Sequence, residues 1–123
     1  MKYKQRDIVL VNFMLYNPDN PSRVEFKPHP AIIISSNAHN EQTGTYYLLL
    51  ISSKRIIPEN TFELTNDMLE DMELDKKSYA VCHIIDDYGE KDIFEKYGRI
   101  KNSFFDQVID MVLEKIFGIE LES

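Results

Sequence analysis

Cysteine is nearly absent: Cys82 is the only one in the chain. With no second thiol there can be no internal disulfide framework, so a bridge-stapled secreted domain is excluded and a reducing compartment, the cytoplasm, is the expected location. Histidine is scarce too. His29, His39 and His83 stand far apart, with no HExxH and no paired cysteines, so no metal is expected. No glycine-rich phosphate loop and no GxSxG elbow occurs, and no cofactor is expected. Nothing approaches the ~18 consecutive apolar residues of a membrane span, so no membrane partner is expected. Lys2, Lys4 and Arg6 ahead of Ile8 to Tyr16 imitate a signal peptide, but Asp7 and Asn12 interrupt the apolar stretch and Asn17-Pro-Asp-Asn-Pro21 replaces a small-residue cleavage site.

What is present describes one ordered globular domain over residues 1–123. At 123 residues the chain is long enough to bury roughly two thirds of its unfolded surface, and it carries no repeat and no low-complexity tail. The formal charge of −7 is unevenly spread: residues 1–57 hold seven Lys and Arg against four acids, residues 58–123 hold seven against seventeen. An anion site must therefore draw on the first half, while the acidic second half reads equally as a solvated surface kept for solubility.

Periodicity predicts a first strand over Asp7–Met14 and a turn-rich segment from Tyr16 to Pro30, whose four prolines exclude a helix. Ala31–Ser36 is too continuous in apolar character for a surface strand and reads as one covered on both faces. Asn37–Gly44 is polar and reads as a loop. Thr45–Ser52 is a third strand, Thr61–Leu64 a short one, Asn66–Met72 a turn or single helical turn, and Ser78–Ile85 another strand. A small strand over Lys91–Phe94 precedes a Tyr97-Gly98 turn. Phe105, Val108, Ile109, Val112 and Ile116 recur at helical spacing, so Ser103–Phe117 reads as a helix, opened by Ser103 with Asp106 and stopped at Gly118. One C-terminal helix closing a small, mostly antiparallel sheet is the expected picture.

Few residues suggest chemistry unaided. Cys82 and His83 are neighbours on a strand and point to opposite faces, which separates nucleophile from base; a lone cysteine there reads as core. His39 reads as a loop residue and His83 as a strand-face residue. Tyr46, Tyr47 and Tyr79 could stack bases, though strand aromatics also serve packing.

The order of segments is more telling. Gln5-Arg-Asp-Ile-Val-Leu-Val-Asn-Phe13 is followed by Lys27-Pro-His-Pro-Ala-Ile-Ile-Ile-Ser-Ser-Asn-Ala-His-Asn40, Leu49-Leu-Ile-Ser-Ser53 and Leu74-Asp-Lys-Lys-Ser-Tyr-Ala-Val-Cys82, then by a terminal amphipathic helix. This arrangement, over almost the whole chain, resembles the MazF/PemK-type toxins of bacterial toxin–antitoxin modules. The resemblance implies a mainly β domain with a C-terminal α-helix, an SH3-like small barrel of the MazF/PemK/CcdB type. It also implies a homodimer, metal-independent cleavage of single-stranded RNA, and an antitoxin protein as neutralising partner.

The resemblance also marks departures. Where the family usually has an arginine before the proline that opens the second strand, this chain has His29; the hydroxyl that usually ends the third strand is retained as Ser52. An Arg-Thr-x-Asp stretch common after the later strand maps onto Asp86-Asp87-Tyr88-Gly89 and is absent, and the usual Gly-Asp opening of the first strand is Arg6-Asp7. Arginine suits charge stabilisation through its permanent cation and fork of donors, whereas histidine moves protons near neutrality. His29 and Ser52 are thus the expected catalytic pair, with Arg23, Lys27, Ser53, Lys54 and Arg55 as expected substrate contacts. Other readings stand beside this one: His29 as a turn residue bonded to a carbonyl, Ser52 as a plain strand end, and Lys54-Arg55 as a solvated loop tip. At the level of function, the alternative is a catalytically inactive module of the same fold that acts through a protein, either an antitoxin or a gyrase-like target. The lost arginine and the Asp86-Asp87 pair favour that alternative.

Overall fold

The computed structural model describes residues 1–17 and 19–121, with the side chains of residues 16, 17 and 21 outside that description. Seven strands form one antiparallel sheet: β1 (Asp7–Asn17), β2 (Asn20–Ile33), β3 (Thr45–Ser52), β4 (Thr61–Leu64), β5 (Leu69–Glu70), β6 (Ser78–Gly89) and β7 (Ile93–Ile100), in the spatial order β4-β6-β3-β2-β1-β7-β5. Helix α1 (Asn37–Thr43) lies between β2 and β3, and α2 (Asn102–Met111) runs into a π-helical turn, Val112–Ile116. Among the described residues no helix is long and apolar enough to cross a membrane.

Alternation along the strands divides the apolar residues between two clusters. One receives residues from every strand: Ile8, Ile32, Leu49 and Ile51, Leu64, Leu69, Ala80 and Cys82, and Ile100. Phe105, Val108 and Val112 close it from the C-terminal helix. The other lies on the opposite face and is built from Val9, Val11, Phe13, Ala31, Ile33, Tyr46, Leu48, Leu50, Val81 and Ile93. Each fully buried aliphatic side chain contributes about 1.5–3 kcal/mol, so the continuous apolar run of β3, which feeds both clusters, is the strongest organiser of the sheet.

Several elements depart from the expectations. The turn-rich segment Tyr16–Pro30 is mostly strand: β1 extends to Asn17 and β2 begins at Asn20, with Pro18 outside the described residues. Prolines are tolerated because β2 pairs with β1 along its length, Pro28 facing Asn12 and Pro30 facing Leu10, while β3 joins only from Ala31 onward. At Pro28 and Pro30 the strand has an open side, where a missing N–H breaks no ladder. The expected loop Asn37–Gly44 is helix α1 with both caps in place: the Ser36 hydroxyl accepts the His39 amide and Gly44 takes the left-handed conformation, φ +73°. It was polar because only Asn40 is buried. The C-terminal helix starts after Lys101, which makes no side-chain cap, so the expected Ser103–Asp106 box is not its start.

The small strand at Lys91–Phe94 and the Tyr97-Gly98 turn are replaced by β7, with Gly98 inside it. A Cβ on Gly98 would lie 2.4 Å from the Glu70 carbonyl oxygen and 2.7 Å from Met72 Cγ. The glycine there answers a close approach of β5, not a turn. Asp7, at the mouth of β1, fixes the same corner: its buried carboxylate accepts the Lys4 amide at 2.9 Å and faces Lys96 Nζ at 3.4 Å and Arg99 Nε at 3.6 Å.

Candidate active site

Three adjacent strands in the order β6-β3-β2 carry the site. In the β2–β3 ladder Ala31 faces Leu50. The ladder ends there; two residues further along β2, His29 lies by alternation on the face that carries Ala31, and it lines one cleft with Ser52, the last residue of β3. Glu25 and Lys27 fall on that face of β2 at intervals of about 7 Å. A cleft of about 820 Å³ opens there, floored by Phe13, Leu50 and Ile84 and lined by Glu25, Lys27, His29, Ser52, Ser53 and Lys54. His83 and Asp86 enter it from β6.

β6 reaches the cleft through an irregularity. Ile51 pairs with Ala80 and Leu49 with Ile85, so a single residue of β3 is matched by four of β6, Val81 to Ile84. Such a bulge bends the strand and re-aims side chains. Cys82 turns into the cluster that α2 closes, where burial pushes its thiol up to about 11 and leaves it unreactive, while His83 lines the cleft. The neighbours are on different faces, as strand alternation predicts.

Burial holds the His29 imidazole below its ordinary value, with the positive charges of Lys27 and Lys76 acting in the same direction and the Ile51 backbone carbonyl opposing them. The ring is therefore neutral at neutral pH, suited to accept a proton and not to serve as a standing cation. The charges that reach it most strongly are both cationic. Lys76, in the segment before β6, was not among the expected residues. Glu25 and Asp86 also line the cleft, Glu25 with its carboxylate 3.3 Å from Lys27 Nζ. The Ser52 hydroxyl oxygen accepts the Lys54 amide at 3.1 Å, which fixes the oxygen and leaves its proton to donate.

Of the expected substrate contacts, Lys27, Ser53 and Lys54 line the cleft with His29 and Ser52. Arg55 does not; its Nε donates to Thr61 Oγ1 at 3.3 Å, toward the start of β4. Arg23 shares the face parity of Lys27 but lies near the tip of the β1–β2 hairpin, about 20 Å along the strand from His29. His39 belongs to α1, with its ring 5.0 Å from that of Tyr47. Among the described residues no group of three or more His, Cys, Asp or Glu is arranged to hold a metal ion.

The fold is thus a small antiparallel sheet with a C-terminal helix over one face and a cleft lined by histidine and lysine on the other. The sequence model described as "PemK-like, MazF-like toxin of type II toxin-antitoxin system" matches residues 4–117, and the chain belongs to that family. No curated protein matches it significantly by sequence. Among solved structures it is similar to Mycobacterium tuberculosis toxin MazF-mt6 (11% identity, 94% of this chain and 100% of that one, TM-score 0.68). It is also similar to an endoribonuclease in complex with its cognate antitoxin from mycobacterial species (14%, 98% and 99%, 0.66) and to MazE-MazF from Deinococcus radiodurans (12%, 98% and 100%, 0.70). At these identities the likeness establishes a MazF-like fold.

Proposed function

We propose that the protein is a toxin-like endoribonuclease that cleaves single-stranded RNA without a metal, acts as a homodimer in the cytoplasm and is neutralised by an antitoxin protein. Family membership supports the class, as do relatives whose titles name an endoribonuclease and a cognate antitoxin. The observation that carries the chemistry is the meeting of His29, Ser52 and Lys27 in one cleft. Neutral His29 takes the proton of a ribose 2′-hydroxyl, whose oxygen attacks the adjacent phosphorus. Ser52 donates to a non-bridging oxygen, and Lys27 with Lys54 offsets the charge gathering on the phosphorane. Histidine in place of the family's usual arginine thus moves the cation from this position of β2 to the neighbouring lysines.

Incubating the protein with single-stranded RNA, with and without 2′-O-methylation at the cut position, tests this. Cleavage of the unmodified strand alone, reduced about 10²–10⁴-fold by His29→Ala, is the expected result. Full activity of His29→Ala would remove its role.

A second reading is favoured by the two carboxylates, Glu25 and Asp86, in the same cleft, since they repel phosphate. In that reading the barrel is a non-catalytic module that acts by binding a protein. Blank ribonuclease assays together with one stable protein complex, lost on mutation of the cleft, would select it.

A further inference from the structure

Resting on the ribonuclease reading, we infer that His83 is a second catalytic residue, the general acid that protonates the departing 5′ oxygen. Cleavage at phosphorus needs a base and an acid on opposite sides, because attacking and leaving oxygens lie roughly in line. The sheet supplies such a pair: His29 on β2 and His83 on β6 lie on the two sides of β3 and line the same cleft, with Ser52 at the end of β3, opposite Tyr79 of β6. Two strand spacings separate β2 from β6, about 10 Å between backbones, a span on the scale of a phosphodiester held between two imidazoles.

Three observations set His83 apart from a histidine that merely decorates a strand. It lines the cleft that holds His29 and Ser52. It sits in the stretch of β6 where four residues answer one of β3, and with Val81 and Cys82 on opposite faces, alternation turns it to the cleft face. Its Nδ1 is shut off from solvent and has no hydrogen-bond partner among the described residues. A buried ring nitrogen without a partner is uncommon in a histidine that serves packing alone.

The step balances. The 2′-O–P bond forms and the P–O5′ bond breaks; the 2′ proton goes to His29 and the His83 imidazolium gives its proton to O5′. The products are a 2′,3′-cyclic phosphate and a free 5′-hydroxyl, and proton exchange with water resets both rings.

An RNA oligonucleotide whose scissile 5′ oxygen is replaced by sulfur separates the roles, because a thiolate departs without being protonated. With His83→Ala or His83→Gln we expect cleavage of ordinary RNA to fall about 10²-fold or more. Cleavage of the sulfur substrate should stay close to the wild-type rate, which also shows that the variant is folded. His29→Ala should slow both substrates alike. Wild-type rates for His83→Ala on ordinary RNA, or equal losses on both substrates, would overturn the assignment. A wild-type protein that cleaves neither substrate would instead sink the ribonuclease reading beneath it.

Discussion

The hydroxyl oxygen of Ser52 accepts the amide of Lys54 at 3.1 Å, which ties the last residue of β3 to the lysine that turns over the cleft. One hydroxyl thereby both shapes the loop and lines the cleft. Ser52→Ala should cost about 1 kcal/mol of stability by leaving that amide unpaired. It should also slow RNA cleavage by about tenfold or more, whereas Ser52→Thr should keep most of both. Urea unfolding alongside initial rates checks the pair; an alanine variant with wild-type rates would show that the hydroxyl only finishes a strand.

His29 should make stability sensitive to acid. Burial, with Lys27 and Lys76, lowers its pKa in the folded protein below the unfolded value of 6.5. Between the two pKa values the unfolded chain binds more protons, so stability falls as pH drops through about 6.5 and levels off below the folded pKa. Above the unfolded value nothing is lost. Relative to His29→Gln, the wild type should lose stability on acidification with a slope no steeper than about 1.4 kcal/mol per pH unit. Parallel curves for the two proteins would contradict the assigned environment.

Lys27 is the cation two residues from His29 on β2, and its exposed contact with Glu25 at 3.3 Å holds it only weakly. If it meets a phosphate, Lys27→Ala should weaken binding of a single-stranded 2′-O-methyl oligonucleotide and flatten the dependence of log K on log salt by about 0.7. Titrations at several ionic strengths measure this, and an unchanged slope would place Lys27 outside the phosphate path. Arg23→Ala, at the far end of the hairpin, should leave the rate of a short substrate centred on His29 unchanged.

Two glycines predict different penalties for the same substitution. Gly98→Ala drives a methyl against the Glu70 carbonyl oxygen at 2.4 Å, backbone that cannot swing aside, and should destabilise by about 3 kcal/mol or more. Gly44→Ala has open space around it and pays only for its left-handed conformation, about 1–2 kcal/mol. Thermal or urea denaturation of both variants tests the order, and a milder effect at Gly98 would mean that β5 can yield.

How much was legible in the sequence follows from which forces are local. β3 was read to the residue because a continuous apolar run leaves few alternatives, and the C-terminal helix was recognised, though not its start, because its apolar stripe repeats at helical spacing. β2 was not, because its prolines carry a local turn signal while their tolerance depends on β3 stopping at Ala31. Helix α1 was missed although both its caps, Ser36 and Gly44, were visible; a polar seven-residue segment has almost no apolar stripe to announce it. In the site, His29 and Ser52 were singled out by resemblance, and they line one cleft where β2 runs on past its last pair with β3. His83 was read only as a strand-face residue and Asp86 only as a carboxylate that would repel phosphate, and Lys76 was not singled out; which strands and loops meet at one cleft leaves no periodic trace.

The central claim is that the cleft holding His29 and Ser52 carries out transesterification of RNA. Mapping both new ends after a limited digest tests it most directly. The account predicts a 2′,3′-cyclic phosphate on one fragment and a 5′-hydroxyl on the other, both lost with His29→Ala in a folded protein. Intact RNA after prolonged incubation with the wild type, or identical ends from the His29 variant, would contradict it.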